Sequence, residues 1–280
     1  MKQINHIPPL QKAVSNAREE GKTIGLVPTM GALHQGHISL IKTAEKNGDF
    51  IVVSIFVNPT QFNNPDDLAR YPRNLASDLR MLVGHGVEIV FVPTVEEMYT
   101  EQDTRNFDLS PLDQVMEGKF RPGHFNGVAQ IVSKLFEAVQ PDRAYFGQKD
   151  FQQLAVIRKL VAQDNLDIEI IGCPIIREPD GLAMSSRNQL LTPGQRAAAP
   201  HIHAVLQKAR SLKNSKSPRA LQTMVKEAIN NHPLMQLEYF EIVDDQTLKP
   251  ISSWDNPANK VGCIAVHLSE VRLIDNIYFD

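Results

Sequence analysis

Two histidines, His34 and His37, are three residues apart and flank Gly36. They follow an aliphatic segment with the character of a buried strand, Thr23–Pro28, and begin a segment with helical spacing of apolar residues, His37–Lys46. Side chains three residues apart share one face of a helix, so both imidazoles are expected to face one point. The free N–H groups and positive end of a helix attract anions. The pattern therefore predicts a polyphosphate site where both histidines donate hydrogen bonds first and carry protons second.

Two further segments carry groups that suit phosphates. Met184–Arg187 contains two hydroxyls and an arginine, and a guanidinium gives forked hydrogen bonds to phosphate oxygens. Gly147–Asp150 places the compact charge of Lys149 where a predicted strand ends and a helix begins. Each feature alone also has a non-functional interpretation. The histidine pair could be a chance pair of surface residues, Met184–Arg187 an ordinary surface turn, and Lys149 a solvated lysine at the start of a helix. Their combination favours a nucleotide site.

The elements that must position these residues alternate between strand and helix through residues 1–176. This alternation predicts an α/β fold, a Rossmann-like parallel sheet domain that binds its ligand beyond the carboxyl ends of its strands. The predicted strands are Thr23–Pro28, Phe50–Val57, Val87–Val92, Ala144–Phe146 and Ile168–Ile176, and the predicted helices are His37–Lys46, Leu75–Val83, Phe125–Val139 and Phe151–Val161.

The pattern changes after Arg177. Residues 177–280 are predicted to form a smaller C-terminal α+β domain that closes over the active site. Its predicted helices are Pro193–Ser211 and Pro218–Asn230, with a loop between them, and its predicted strands are Leu237–Val243, Gly262–Leu268 and Val271–Phe279.

Composition excludes several classes of protein. The 280 residues contain 29 Lys and Arg against 32 Asp and Glu, a net charge of −3 that does not suggest a nucleic-acid partner. The two cysteines, Cys173 and Cys263, have no metal-ligand spacing and indicate no disulfide framework. The first twenty residues lack the apolar core of a signal peptide, and the apolar run Ile51–Val57 is too short to span a bilayer. A cytoplasmic enzyme without a membrane partner is expected.

The same segments carry a resemblance to known proteins. HQGH is similar to the HxGH signature of the nucleotidyltransferase superfamily, and MSSR is similar to the phosphate loop that accompanies it. In order, PTMGALHQGHISL, FVNPTQF, YPR, RPGHFNGV, FGQKDFQQ and MSSRN cover most of residues 23–188 and resemble the pantoate–β-alanine ligase family. The resemblance implies ATP-dependent condensation of (R)-pantoate with β-alanine through a pantoyl adenylate, giving pantothenate, AMP and pyrophosphate. It also implies Mg²⁺ with the ATP and a homodimer.

The resemblance further implies roles for individual residues. The catalytic group is His34, His37, Lys149 and Arg187, with His37 as proton donor. The ATP site comprises Met30, Gly31, Ala32, Leu33, His34, Gln35, Gly36, His37, Gly147, Gln148, Lys149, Asp150, Ile176, Met184, Ser185, Ser186 and Arg187. Pantoate is assigned to Asn58, Gln61 and Gln153, and β-alanine to Gln61 and Tyr71.

Three positions carry open assignments. Arg121 is either a substrate-pocket residue or a loop anchor, and His124 is expected to shape its loop. Relatives often carry adjacent acids after the YPR segment, whereas here Asp78 is the acid in the stretch 75–78. Asp78 is therefore the candidate Mg²⁺ ligand, with a metal held mainly by ATP and water as the alternative.

Two other functions share part of this pattern. One is a nucleotidyltransferase that joins ATP to a phosphorylated substrate to make a dinucleotide. The paired glutamines oppose it, and AMP formation with pantoate and β-alanine would exclude it. The other is a catalytically silent RNA-binding module descended from a tRNA synthetase. The negative net charge opposes it, and the salt dependence of RNA binding tests it.

Overall fold

The larger sheet is parallel throughout and has the strand order β1–β4–β3–β2–β5–β6. It is seen in a computed structural model that describes residues 1–255 and 258–279. Residues 256, 257 and 280 of the predicted C-terminal domain lie outside the described residues. The strands are β1 Lys2–Ile4, β2 Ile24–Thr29, β3 Phe50–Ile55, β4 Val87–Phe91, β5 Arg143–Gly147 and β6 Glu169–Cys173.

Helices cover both faces of this sheet, because its strands are apolar on both sides. In β2, for example, Leu26 belongs to the core with α1, α7 and α8, and Val27 to the core with α2 and α4. The helices are α1 Ile7–Glu19, α2 Gln35–Lys46, α3 Pro65–Arg70, α4 Leu75–Leu82, α5 Val95–Met98, α6 Met116–Phe120, α7 His124–Val139 and α8 Phe151–Gln163.

The order of the strands fixes where a ligand can bind. From β2 the chain runs outward to β3 and β4, and it then returns to β5 on the other side of β2. The loops after β2 and β5 therefore leave the sheet in opposite directions and open a crevice at its carboxyl edge. This crevice brings the HQGH segment next to Gly147–Asp150.

A second, antiparallel sheet forms the core of the C-terminal region. Its strands are β7 Gln236–Asp244, β8 Lys260–Leu268 and β9 Val271–Tyr278, and its helices are α9 Pro193–Ala198, α10 His201–Ser211 and α11 Pro218–Asn230. Alternate residues of each strand face opposite sides. Ile264 packs with α10 and α11, whereas Tyr239, Cys263 and Ala265 join the core of the parallel-sheet region. The two regions therefore share apolar contacts.

The structure confirms the predicted fold class, and it corrects three details. β1 and α1 precede the segment predicted as the first strand, and Leu10, Val14 and Ala17 bury one face of α1. The predicted helix Pro193–Ser211 is two helices, because Pro200 lacks the N–H that would continue the first. β6 ends at Cys173 because Pro174 follows. In the described part of the chain, no helix combines the length and apolarity needed to span a membrane.

Candidate active site

The turn between β2 and α2 positions the two histidines, and two distant segments hold it. Gly31 and Ala32 both have positive φ angles, 76° and 47°, which is an unfavourable backbone conformation for alanine. The buried carboxylate of Asp78, on α4, accepts hydrogen bonds from the N–H groups of Ala32 and Leu33 at 3.0 and 2.7 Å. The Ser186 hydroxyl donates to the Ala32 carbonyl at 3.0 Å. These contacts stabilise a strained turn directly before the histidines.

Backbone hydrogen bonds fix the tautomers of both histidines. The Gly36 N–H donates to Nδ1 of His34 at 3.1 Å, and the His34 N–H donates to Nδ1 of His37 at 3.2 Å. A ring nitrogen that accepts a hydrogen bond carries no proton, so the proton of each neutral ring lies on Nε2. Both histidines border the same cavity. Each ring can therefore offer an Nε2–H to a ligand there.

The surroundings also keep these rings neutral. Burial, followed by the charge of Lys149, lowers the pKa of His34 to about 4. Burial, His34 and Lys149 lower the pKa of His37 well below its ordinary value. The two ring centroids are 4.1 Å apart, and a Cβ at Gly36 would lie 2.7 Å from Cε1 of His34. A residue with a Cβ at position 36 would therefore displace the His34 ring.

The loop after β5 brings a positive charge to the same cavity. Its backbone is tied to β6, since the Gln148 N–H donates to the Cys173 carbonyl at 2.8 Å. The Lys149 ammonium lies 3.3 Å from the Asp150 carboxylate, and the two residues line the cavity with the histidines. The lysine charge that lowers the pKa of both histidines is therefore available to a phosphate.

The MSSR segment closes another side of the cavity. The Met184 N–H donates to the Ile176 carbonyl at 3.0 Å, which joins the segment to the chain after β6. The Arg187 guanidinium makes two hydrogen bonds to Asp67, at 2.9 and 3.3 Å, and lies over the Tyr71 ring. Burial raises the pKa of Tyr71, so its hydroxyl stays protonated. Arg187 thus has a carboxylate partner at the border of the cavity.

Two of the three residues predicted to bind pantoate, Asn58 and Gln61, are connected to each other. The Gln61 amide donates to Sδ of Met30 at 2.9 Å, and its oxygen accepts from Asn58 at 3.3 Å. Asn58 also donates to the Gly127 carbonyl at 3.0 Å and accepts from the Tyr99 hydroxyl at 2.7 Å. Asn58 is 1% exposed and fully engaged, so it shapes the pocket. Gln61 remains the better placed of the two to meet a ligand.

The RPGHF segment, residues 121–125, holds the backbone of Gln61 in place. Nδ1 of His124 donates to the Gln61 carbonyl at 2.7 Å, and burial lowers the pKa of His124 to about 4. This contact agrees with the predicted loop-shaping role of His124. The Arg121 guanidinium lies 3.2 Å from Nε2 of His124 and 3.7 Å from Glu117. Arg121 also lines the neighbouring cavity, so its position suits both a substrate-pocket residue and a loop anchor.

Two adjoining cavities share part of their walls and are together called the cleft. The smaller, about 200 Å³, is walled by Met30, His34, Gly36, His37, Asn58, Gln61, Tyr71, Gly147, Ile176, Met184 and Ser186, among others. The larger, about 560 Å³, lies between the parallel-sheet region and the C-terminal sheet. Five predicted site residues line both cavities: Lys149, Asp150, Gln153, Ser185 and Arg187. The structure therefore brings the three sequence segments to one place.

Six predicted residues do not line this cleft. Gly31, Ala32, Leu33, Gln35 and Gln148 belong to its loops but not to its walls. The sixth, Asp78, is 3% exposed, and each of its oxygens accepts a backbone N–H. A direct metal ligand at Asp78 does not fit this geometry, because the carboxylate faces the turn. The described residues contain no group of three or more His, Cys, Asp or Glu side chains suited to a metal.

Sequence reasoning missed the polar wall that the C-terminal region contributes. The Arg272 guanidinium donates to Glu117 of α6 at 2.9 Å, and the Tyr239 hydroxyl donates to the same carboxylate at 2.8 Å. Burial favours the neutral acid, but the charge of Arg272 outweighs it and lowers the pKa of Glu117 to about 2. The sequence signal was Arg272, a charged residue in a predicted strand. The alternation of side chains along a strand indicates which face of the sheet Arg272 occupies, but not that Glu117 is its partner.

Comparisons with known proteins identify the family to which the chain is similar. The sequence profile of the family described as pantoate-β-alanine ligase matches residues 2–278. A pantothenate synthetase of Bacteroides thetaiotaomicron is 57% identical over 279 residues, covering 100% of this chain and 99% of the relative. A pantothenate synthetase of Porphyromonas gingivalis is 54% identical over 280 residues, covering 100% of both chains.

Solved structures give the same result. The pantothenate synthetase of Thermus thermophilus superposes with a TM-score of 0.93 at 41% identity, covering 100% of this chain and 99% of that one. A pantoate-β-alanine ligase of Francisella tularensis, complexed with β-γ ATP and β-alanine, has a TM-score of 0.84 at 35% identity and coverage of 100% and 98%. The similarity therefore spans both regions of the fold.

Proposed function

Because this chain belongs to the pantoate–β-alanine ligase family, we propose that its cleft binds ATP, pantoate and β-alanine and makes pantothenate, AMP and pyrophosphate. The reaction proceeds through a pantoyl adenylate. This is the activity that the name of the family describes, and a relative has been crystallised with β-γ ATP and β-alanine. The residue roles below are inferred from the geometry of this chain.

The observation that carries the proposal is the pair of Nε2–H donors at the start of α2. His34 and His37 are held neutral and in one tautomer, and Lys149 borders the same cavity. Pre-oriented donors stabilise charge that develops during a reaction without the cost of reorganisation. A triphosphate here would gain two hydrogen bonds and one ion pair, each of which strengthens as pyrophosphate leaves.

In the first half-reaction, a carboxylate oxygen of pantoate attacks the α-phosphorus, and the bond from that phosphorus to the bridging oxygen breaks. Negative charge grows on the departing pyrophosphate. His37 donates to the oxygen that gains this charge, and His34 and Lys149 share the remainder. Ser185 and Arg187 close on the terminal phosphates as the Arg187 guanidinium exchanges Asp67 for phosphate, while the Ser186 hydroxyl keeps its hydrogen bond to the Ala32 carbonyl.

Gln61 and Gln153 hold pantoate beside the α-phosphate. An amide donates to a carboxylate or hydroxyl without the strong ion pair that would make the nucleophile less reactive. Gln61 is anchored through Asn58 and through its own carbonyl to His124, so its side chain starts from a fixed backbone. Gln153 lies in the first turn of α8, directly after the Lys149 loop. The two glutamines therefore place the acid relative to the phosphates.

In the second half-reaction, the β-alanine ammonium group first loses a proton to water, the free amine attacks the acyl carbon of the adenylate, AMP departs, and the nitrogen releases a second proton to water. Gln61 and Tyr71 are assigned to this substrate. Tyr71 keeps its proton because burial raises its pKa, so it acts as a hydrogen-bond donor near the acyl group. This step relies on positioning and charge stabilisation, since no protein nucleophile is needed.

The loops that border the cleft indicate which groups bind the ribose and the adenine of ATP. Asp150 is proposed to bind the ribose, and the backbone at Ile176 to bind adenine. Mg²⁺ is proposed to enter with ATP and to neutralise phosphate charge when bound. Asp78 does not fit as its ligand, so no step of the mechanism depends on a protein-held metal.

Isotope exchange tests the proposed order of chemistry. Labelled pyrophosphate should enter ATP when pantoate is present and β-alanine is absent, because the adenylate forms reversibly without the amine. Adding β-alanine should produce AMP and pantothenate in equal amounts. Exchange that requires β-alanine, or AMP formation that requires a phosphomonoester in place of pantoate, would contradict the proposal.

We also propose a homodimer, a cytoplasmic location and closure of the C-terminal region, residues 177–280, over the cleft. The family resemblance supports the dimer, and sedimentation analysis tests it.

Both cysteines, Cys173 and Cys263, are free and buried, as suits a reducing compartment. The larger cavity between the two regions supports closure, because ligand there would contact both walls.

A further inference from the structure

Asn276 of β9 reaches from the C-terminal sheet to the loop that carries Lys149. Its side-chain nitrogen donates to the Gln148 carbonyl at 2.8 Å and to the Lys149 carbonyl at 3.1 Å. Asn276 is 3% exposed, so water does not compete for these two carbonyls. A carboxamide NH₂ has two donors, and here both are used on consecutive residues of one loop.

Asn276 is itself held rigidly. Its backbone N–H donates to the Asp275 carboxylate at 2.8 Å, and Asp275 receives a forked pair of hydrogen bonds from Arg177 at 2.7 and 2.9 Å. Arg177 also donates to the Asn276 carbonyl at 3.3 Å and directly follows Ile176 in the wall of the cleft. One short stretch of β9 thus fastens the loops after β5 and β6.

The loop after β5 has few other restraints near its tip. The Gln148 N–H is bonded to β6, and the Asp150 N–H to the Gly147 carbonyl. The Lys149 ammonium contacts Asp150, the next residue along the chain. Within the described residues, the carbonyls on either side of the Lys149 N–H are therefore oriented by a single side chain from the other sheet.

We propose that Asn276 is a positioning residue for ATP binding, which it serves by holding the loop backbone so that the Lys149 ammonium meets the triphosphate. This inference rests on the proposed function of Lys149. It makes the antiparallel sheet a structural part of the ATP site rather than only a cover. Asn276 borders the larger cavity and not the smaller one that holds the histidines, and its side-chain nitrogen is engaged by the two loop carbonyls, so it acts through the loop.

A double-mutant cycle tests the proposal through the affinity for a non-hydrolysable ATP analogue. Asn276→Ala should weaken binding about tenfold when Lys149 is present and less than about twofold in the Lys149→Ala background, because residues that act as a unit are not additive. Equal weakening in both backgrounds, or none in either, would overturn the proposal. Calorimetry gives both values without pantoate, so failure of the ligase activity would be a separate result.

Asn230→Ala is the matched control. Asn230 also bonds to backbone of the C-terminal region, accepting from the Leu237 N–H at 2.8 Å, but it does not border the cleft. This variant should bind the analogue normally. Asn276→Asp keeps the size of the side chain and turns an oxygen toward the two carbonyls, so it should weaken binding at least as much as alanine. If both Asn276 variants fail to show cooperative thermal unfolding, Asn276 serves stability and the proposal is wrong.

Discussion

The β2–α2 turn and the Arg187 side chain border the same cleft but are held in different ways. The turn is buried and tied by Asp78 and Ser186, which are distant in sequence. Arg187 is held through a partly exposed ion pair with Asp67. Buried hydrogen bonds to fixed backbone preserve a geometry, whereas an exposed ion pair is weak and exchanges its partner readily. The cleft therefore combines a preorganised wall with an adjustable one.

His37→Ala should give the largest effect, because it removes a donor from the preorganised wall. We expect kcat to fall by roughly a hundredfold to a thousandfold, as for removal of a single oxyanion-hole donor, with little loss of thermal stability. Steady-state kinetics and thermal unfolding measure the two effects. His85→Ala, which changes a histidine outside the cleft, is the control. An unchanged kcat would remove His37 from the mechanism.

Asp78→Asn should give the second-largest effect, because it disrupts the hydrogen bonds of the β2–α2 turn at a residue that does not contact substrate. The amide cannot accept from both the Ala32 and Leu33 N–H groups in the same way, so the histidines should shift and kcat should fall about tenfold to a hundredfold. Raising Mg²⁺ should not restore activity. Restoration by Mg²⁺ would instead identify Asp78 as a metal ligand. Asp164→Asn, at the exposed end of α8, controls for loss of a carboxylate.

Gln153→Ala tests the pantoate side of the cleft and should have a smaller effect. Loss of its hydrogen bonds should weaken pantoate binding by up to about tenfold while ATP binding is retained. Calorimetry with each ligand separates the two. Gln163→Ala, on the same helix but bonded to Asp108 outside the cleft, should change neither. Equal loss of affinity for both ligands would contradict a specific contact with pantoate.

Asp67→Asn should have the smallest effect and the opposite sign. It weakens the contact that competes with phosphate for Arg187, so ATP should bind tighter by up to about fivefold, the range of an exposed ion pair. The KM for ATP measures this, and Asp66→Asn is the neighbouring control. Weaker ATP binding would show that Asp67 helps to bind the nucleotide and is not a competitor.

The same contrast explains what could be predicted from sequence. The HQGH and GQKD segments are predictable because each combines its chemistry with a strand–helix junction, whereas MSSR is predictable from its hydroxyls, its arginine and its resemblance to a phosphate loop. The role of Asp78 was not found, because its partners lie 45 and 46 residues earlier in the chain. Asn276 gave no signal either, since its contact with the Lys149 loop depends on how two sheets pack. Local patterns therefore predict the candidate reactive groups, whereas the long-range contacts that orient them are seen only in the structure.

Nitrogen NMR of histidine-labelled protein tests the central claim most directly, because it reports the tautomer and charge of each ring. At pH 7 we expect His34 and His37 as neutral Nε2–H tautomers, with His34 protonating only near its pKa of about 4. The pKa of His34 is lower in the folded protein than in the unfolded chain. As pH falls from about 6.5 toward 4, the unfolded chain therefore takes up a proton first, and the native state loses stability relative to neutral pH. A non-hydrolysable ATP analogue should shift both Nε2–H signals. Protonated rings at pH 7, Nδ1–H tautomers, or Nε2–H signals that ignore the analogue would contradict the account.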